Sequence, residues 1–420
     1  MQLSRFICAG ISVFGVALSV SAVTIGIDQV RQRYPWNGLV DIDYTIAWGD
    51  GEAPGLDDNL EVLMVDKSVN PAVTNRVVTF LQVRLPMTTG THRFTWDAHA
   101  DGMTNYTDNA EFVAKIVHYA ASYMVIDVSE GSREDAVYRV DFLNGEPQGG
   151  FNVDEYKGNK IAFRRIHPGS FTAGSPDGEE SRDGTREEQH DVMLSRPYYI
   201  GIFEITQAQY QNVMNANYSE HRGEFRPAEK VSYSGLRGVS SSKDEPTETS
   251  FIGKMLKRCK SKNAATGVYD VEVKGIDLPT EFQWEYACRA GTTAPFNGTD
   301  STGTLAEQMV RVGRYSGNCG DKKGGDYAQH TKVGSYEPNA WGLYDMHGNV
   351  WEWCRDQYVA DAAGLNQHVD PKGPDSGILS VNRGGAWNKA EGLCRSAARN
   401  DSTTSGAFEN GGFRLSLTLP

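Results

Sequence analysis

A strict alternation of apolar and polar residues limits how the N-terminal part of this chain can fold. From Val40 to Trp48 apolar side chains occupy every second position, a period that is typical of a half-buried β-strand. Similar β-rich runs, separated by turn-forming residues, follow at Val77–Leu85, His92–Trp96, Phe112–Val117, Tyr123–Val128 and Val137–Phe142. Because no helical pattern interrupts these runs, the sequence predicts an all-β sandwich over residues 23–150.

Residues 151–420 follow a different pattern, with many loops, scattered glycines and a few short helices. Thr206 is expected to cap a helix that begins at Gln207. Thr280 and Gln283 have the spacing of a capping box at the start of another helix. A chain of 420 residues is also too long for one ordinary core. The predicted fold class is therefore α+β, with a β-sandwich followed by a second domain that contains much irregular structure.

The first residues match a secretory signal peptide, which we assign to residues 1–22. Arg5 precedes an apolar run from Phe6 to Val20, and small residues ending at Ala22 supply a cleavage pattern. The apolar run is short for a membrane span, which needs about 20 residues. An uncleaved anchor helix is the alternative. The sequence predicts export to the periplasm or the cell exterior, with no membrane span after cleavage.

Composition indicates a soluble globular protein and argues against nucleic acid as a partner. Hydrophobic residues make up 39% of the chain and charged residues 23%. The formal net charge is −13, whereas binding of phosphates rests on basic patches. The basic run between Lys254 and Lys262 is interpreted as the solvated face of an amphipathic helix.

The cysteine count leaves the pairing of thiols open. One cysteine, Cys8, lies in the predicted signal peptide. Those that remain after cleavage are Cys259, Cys288, Cys319, Cys354 and Cys394. Export permits disulfides, and the odd number leaves at least one thiol unpaired or paired between chains.

Several short segments of the second region, taken in order, resemble one known family. They are Ile166–Phe171, Phe203–Gln207, Leu278–Glu281, Trp284–Tyr286, Asn339–Met346, Gly348–Trp353, Arg383–Trp387, Arg395–Arg399 and Gly412–Arg414. This ordered set resembles the sulfatase-modifying-factor, or formylglycine-generating enzyme, family over residues of about 160 to 420. The resemblance implies an elaborated C-type-lectin-like fold with little regular structure.

The resemblance also implies where a catalytic cysteine pair would lie, and this chain lacks the pair there. Family members that make formylglycine bind copper(I) through two cysteines, because soft thiolates select that ion. The first of these positions falls on Lys389 and the second near Glu391. Copper is therefore not expected, formylglycine generation is not expected, and we assign no catalytic residue. The resemblance instead suggests a Cys354–Cys394 disulfide, and a displaced copper site at these two residues is the alternative.

A calcium site of the family has a closer match in this chain. The resemblance assigns the ligands to the side chains of Asp345 and Glu352 and to the backbone carbonyls of Gly348 and Val350. Two carboxylates and two carbonyls form the all-oxygen shell that a hard cation prefers. A second family calcium loop fits poorly, because Arg314 falls where an asparagine ligand is expected, so we expect one calcium ion.

Taken together, these features favour an exported, non-catalytic, lectin-like binding module joined to a β-sandwich that acts in adhesion or as a spacer. The expected ligand is a peptide, a protein or a glycan, and the expected groove lies near Trp387, Asn388, Lys389 and Arg399. The alternative is an oxidoreductase of the same family that modifies a sulfatase cysteine or another substrate.

The signal-peptide assignment predicts that the exported protein begins at Val23. Terminal sequencing of the protein from the periplasmic and culture fractions should find this residue first. Recovery of the uncleaved chain from the membrane fraction would support an anchor helix instead.

Overall fold

The computed structural model describes residues 24–33, 39–47, 58–66, 73–77, 88–98, 110–118, 121–238, 245–264, 266–297, 303–320, 329–365, 367–374 and 377–418. The chain divides into two compact units, Met1–Ala120 and Ala121–Pro420. The predicted signal peptide lies outside the described residues. Among the helices of the described part, none is long and apolar enough to cross a membrane.

The first unit consists of β-strands in the part that the structure describes. Its strands are β1 (Thr24–Gln32), β2 (Leu39–Ala47), β3 (Asp58–Asp66), β4 (Val73–Val77), β5 (Gly90–Asp97) and β6 (Ala110–His118). They form two antiparallel sheets, ordered β1-β2-β5 and β4-β3-β6. The alternation in β2 is confirmed, because Val40, Ile42, Tyr44 and Ile46 are all buried in one hydrophobic cluster. The sandwich arrangement itself remains a prediction, and most of the predicted strand Val77–Leu85 lies outside the described residues.

The second unit mixes short strands with short helices. Its strands are β7 (Tyr123–Asp127), β8 (Tyr138–Leu143), β9 (Lys160–Ile166), β10 (Gly169–Ala173), β11 (His190–Leu194), β12 (Tyr198–Gly201), β13 (Cys259–Lys262), β14 (Tyr269–Glu272), β15 (Ile276–Asp277), β16 (Gly313–Arg314), β17 (His347–Gly348), β18 (Trp351–Gln357), β19 (Leu379–Arg383), β20 (Arg399–Thr403), β21 (Gly411–Gly412) and β22 (Ser416–Thr418). Its helices are α1 (Glu155–Gly158), α2 (Gln207–Met214), α3 (Tyr233–Arg237), α4 (Phe251–Arg258), α5 (Glu281–Arg289) and α6 (Leu305–Val312), with 3₁₀ turns at Ala363–Leu365 and Glu391–Cys394.

An eight-stranded sheet organises this unit, in the order β14-β13-β8-β7-β9-β12-β22-β15. Its first and last strands are joined in sequence by residues 273–275 alone, so the sheet curls until its two edges approach each other. A four-stranded sheet, β20-β19-β18-β21, carries the C-terminal family segments.

Strands β7 and β8 belong to this second unit, although the sequence placed residues 121–150 in the first domain. β7 pairs with β9, and β8 pairs in parallel with β13. Four of the five residues of β7 are buried. The local pattern marks these segments as strands, but it does not reveal which sheet they join, because the partners lie farther along the chain.

The predicted helix caps are confirmed. Thr206 and Thr280 each form a capping box, at the start of α2 and α5. Helix α5 buries Trp284 and Cys288 in one core cluster. Helix α4 buries Phe251 and Met255 in another.

Candidate functional site

Buried arginine–glutamate pairs join the C-terminal segments to earlier parts of the second unit. Arg399 donates to both carboxylate oxygens of Glu281, at 2.6 and 2.9 Å. Arg414 donates to both oxygens of Glu352, each at 2.6 Å. All four side chains are buried. Such bidentate, charge-assisted bonds fix the two partners in one orientation.

Two further arginines extend this network. Arg395 donates to both oxygens of Glu187, at 2.8 and 2.9 Å, and also contacts Glu179 at 2.5 Å. Arg383 contacts Glu285 and donates to the backbone carbonyls of residues 397 and 398. The arginines of three family segments are therefore used to hold the fold.

The two carboxylates predicted to bind calcium, those of Asp345 and Glu352, differ in their hydrogen bonding. Asp345 is buried and its Oδ2 accepts from the backbone N–H of Gly334 at 2.6 Å, while its Oδ1 has no hydrogen-bond partner. Burial raises the pKa of Asp345 to about 6. Glu352 accepts from Arg414 with both oxygens and from the indole N–H of Trp284 at 2.7 Å. Asp345 thus fits the role of a cation ligand, whereas the carboxylate of Glu352 is already neutralised.

A carboxylate that the sequence analysis missed lies beside this loop. Glu204 is fully buried, and it accepts from the side chain of Asn349 at 2.5 Å and from the backbone N–H of Val350 at 3.1 Å. Burial, together with the charges of Asp345 and Glu352, raises its pKa. Its segment had been recognised as a family motif, but a single glutamate carries no sequence signal of burial.

Arg314 forms hydrogen bonds to backbone carbonyls at the position that corresponds to the family's second calcium loop. Its guanidinium donates to the carbonyls of Asn318, Cys319 and Gln329, at 2.5, 2.7 and 3.1 Å. The positively charged guanidinium of Arg314 therefore contacts these three carbonyl oxygens directly.

The five cysteines of the described residues are all buried and free, and Cys354 and Cys394 are not joined by a disulfide. Cys354 packs in the same core cluster as Trp284, whereas Cys394 packs in a separate cluster with Phe296 and Met309. Burial raises the pKa of Cys394 to about 12 and that of Cys354 well above its usual value. Both thiols are therefore held in the protonated form, which is neither the nucleophile nor the metal ligand.

A third cysteine has a histidine neighbour that spacing did not suggest. The sulfur of Cys288 lies 3.7 Å from Nε2 of His347 and 3.6 Å from the hydroxyl of Ser396. Nε2 of His347 accepts from the backbone N–H of Asn297, and Nδ1 lies 2.7 Å from the carbonyl of Cys394. The imidazole is thus engaged on both sides. Burial raises the pKa of Cys288 to about 12, so this pair is not poised as a nucleophile and base.

The four residues of the predicted groove do not form one surface. Asn388 is exposed and Lys389 is partly exposed, whereas Trp387 is only 6% exposed. The indole N–H of Trp387 donates to the carbonyl of Glu409, and Oδ1 of Asn388 accepts from Asn410 at 2.8 Å. Arg399 is buried against Glu281 and is absent from this surface. Arginine is mostly exposed in proteins, and no residue near Arg399 in the sequence indicates that Glu281 lies against it.

Similarity to known proteins agrees with these motifs. The sulfatase-modifying factor enzyme 1-like domain matches residues 157–419. The chain belongs to the FGE-sulfatase family. The resemblance drawn from the sequence motifs is thereby confirmed.

Curated relatives match parts of this chain. The formylglycine-generating enzyme of Thermomonospora curvata is 32% identical over 147 residues, which are 33% of this chain and 48% of the relative. Serine/threonine-protein kinase pkn1 of Chlamydia caviae is 27% identical over 330 residues, 73% of this chain and 48% of the relative. Chaperone protein LppX of Paenibacillus barcinonensis is 31% identical over 211 residues, 47% of this chain and 71% of the relative. The chain spans about half the length of the formylglycine-generating enzyme.

Two solved structures are similar over most of their own length. Treponema denticola variable protein 1 is 28% identical, with 62% of this chain and 96% of that chain covered and a TM-score of 0.48. PvdO from Pseudomonas aeruginosa is 24% identical, with 61% and 94% covered and a TM-score of 0.47.

The buried ion pairs predict a large loss of stability from one isosteric change. Glu281→Gln leaves the buried guanidinium of Arg399 with a neutral partner, and this should lower the free energy of unfolding by about 3 kcal/mol. Glu248→Gln, at an exposed ion pair with Lys257, should change it by about 0.5 kcal/mol or less. Denaturant titration measures both. Equal small losses would show that Glu281 is not needed to neutralise Arg399.

Calcium binding at the Asp345 loop stays a prediction, and its test follows from the free oxygen of Asp345. Calcium should raise the unfolding temperature of the wild-type chain, and Asp345→Asn should remove that rise. Thermal melts in calcium and in chelator compare the two proteins. A wild-type melt that calcium leaves unchanged would contradict the assignment.

Proposed function

We propose that this chain is an exported binding member of the FGE-sulfatase family that makes no formylglycine through a cysteine pair. The proposal rests on the lysine at the first copper-ligand position and on the burial of the cysteine thiols. Lys389 occupies the position that the resemblance assigns to the first copper ligand, and its carbonyl accepts a hydrogen bond from the backbone N–H of Ser316. Cys354 and Cys394, the two residues of the alternative, displaced copper site, lie in separate buried clusters with raised pKa values.

The ligand of this proposal is a peptide, a protein or a glycan bound at the surface formed by Asn388, Lys389, Glu409 and Asn410. The amides of Asn388 and Asn410 are hydrogen-bonded to each other, the backbone carbonyl of Glu409 accepts from Trp387, and Lys389 follows in the same turn. Amide and carboxylate groups suit hydrogen bonding to hydroxyls or peptide groups, and an adjacent ammonium adds a donor. Calcium at Asp345 would stabilise the neighbouring loop, and the N-terminal unit would serve in adhesion or as a spacer.

Mass spectrometry tests the negative part of the proposal. A Cys-x-Pro-x-Arg peptide is incubated with the chain, copper(I) and oxygen, beside the Thermomonospora curvata enzyme as active control. We expect no conversion of the peptide cysteine by this chain. Conversion that Cys354→Ser and Cys394→Ser both abolish would establish the oxidoreductase alternative, with a displaced copper site.

Ligand arrays test the positive part. Wild-type protein is applied to glycan and peptide arrays, and its ligands are then titrated against Asn388→Ala and Lys389→Ala. Loss of one hydrogen bond in a binding site should weaken affinity about tenfold. Lys262→Ala, an exposed lysine elsewhere, should bind as the wild type does. Equal affinity of all variants would place the ligand at another surface.

A further inference from the structure

A fully buried histidine lies one aromatic ring away from Trp387. His330 has no exposed area, and neither of its ring nitrogens has a hydrogen-bond partner. Glu229 beside it is also fully buried, and its Oε2 has no hydrogen-bond partner. Nε2 of His330 lies 3.8 Å from Oε1 of Glu229, which is too long for a hydrogen bond. The imidazole is therefore enclosed without a hydrogen bond that would stabilise a second ring proton.

The ring of His221 lies between this buried pair and the surface. Its centroid is 5.3 Å from that of His330 and 5.3 Å from that of Trp387, with the ring planes nearly perpendicular in both contacts. Nε2 of His221 lies 3.9 Å from Oε2 of Glu409, which belongs to the proposed ligand surface. A single packed side chain therefore separates His330 from that surface.

The loop between α2 and α3 is bonded to the segment that contains His330. Within this loop the backbone N–H of His221 donates to Oε1 of Glu229 at 2.9 Å. The side chain of Arg226 donates to the backbone carbonyl of His330, and the N–H of Val333 donates to a backbone carbonyl of the loop. The position of the loop and the burial of the imidazole therefore depend on each other.

A proton taken up by His330 in this position creates a buried charge, which is costly. Burial lowers the pKa of His330 from its usual value, and the guanidinium of Arg226 and the ring of His221 act in the same direction. Glu229 acts in the opposite direction but does not outweigh burial. When the loop opens, the imidazole meets water and titrates near the ordinary histidine pKa of about 6.5. The open form therefore binds more protons than the closed form below about pH 6.5, so a fall in pH favours opening.

We propose that His330 is a pH-sensitive switch for this loop, which is closed at neutral pH and opens in mildly acidic solution when the imidazole takes up a proton. The closed loop holds His221 against Trp387 and beside Glu409. Opening removes this packing, so the ligand surface should release its ligand in acid. This consequence for binding rests on the proposed function, whereas the opening of the loop does not.

Hydrogen exchange, followed by mass spectrometry on peptides from the loop, tests the switch without any ligand. After correction for intrinsic exchange rates, the opening constant of residues 217–230 in the full wild-type chain should rise about tenfold from about pH 7.5 to about pH 5. His330→Phe keeps an aromatic ring but takes up no proton, so its opening constant should change less than about twofold. His368→Ala, at an exposed histidine elsewhere, should show the wild-type rise.

Two results would overturn the inference. One is an opening constant of the wild-type loop that is the same at both pH values. The other is a wild-type rise in His330→Phe, which would assign the pH dependence to another group. Circular dichroism checks the fold of this variant, and His330→Gln, with the same expected result, replaces it if it does not fold. A tenfold rise together with arrays that find no ligand would support the switch and contradict only the proposed function.

Discussion

The buried arginine–glutamate pairs are the interaction on which the second unit depends. Its helices and strands are short, so regular backbone bonding leaves many loops to be fixed by side chains. Arg399 with Glu281, and Arg414 with Glu352, join segments far apart in sequence through paired bonds. Removing two charges from water is costly, and only a partner in the right place offsets that cost. An alternative loop arrangement would leave a buried charge without its partner, so the pairs favour one fold over its competitors.

This use of charge explains why family motifs persist in a chain without the family's cysteine pair. The arginines of the Arg383, Arg395 and Arg414 segments hold the frame through their bonds to buried carboxylates. The turn that carries Lys389 can therefore change its chemistry while the frame is retained. Family membership accordingly fixes the fold of this region more firmly than its activity.

Features encoded locally could be predicted from the sequence, and features that depend on distant partners could not. The caps at Thr206 and Thr280 and the burial pattern of β2 involve neighbours within a few residues, and the structure has them as expected. By contrast, an arginine in sequence looks the same whether it lines a groove or is buried, and Arg399 was assigned to the wrong environment. The cluster of His221 with His330 was likewise invisible, because its members are separated by a long stretch of chain.

The placement of β7 and β8 changes which stretch of chain is needed to form a complete second unit. The family match begins at residue 157, yet the eight-stranded sheet has β7 and β8 near its centre. A gene fragment cut at the start of the match would encode β9 and β13 without the strands between them, and would expose two unpaired strand edges, which invite aggregation. A fragment that keeps this sheet whole must therefore begin at or before β7, well upstream of the family match.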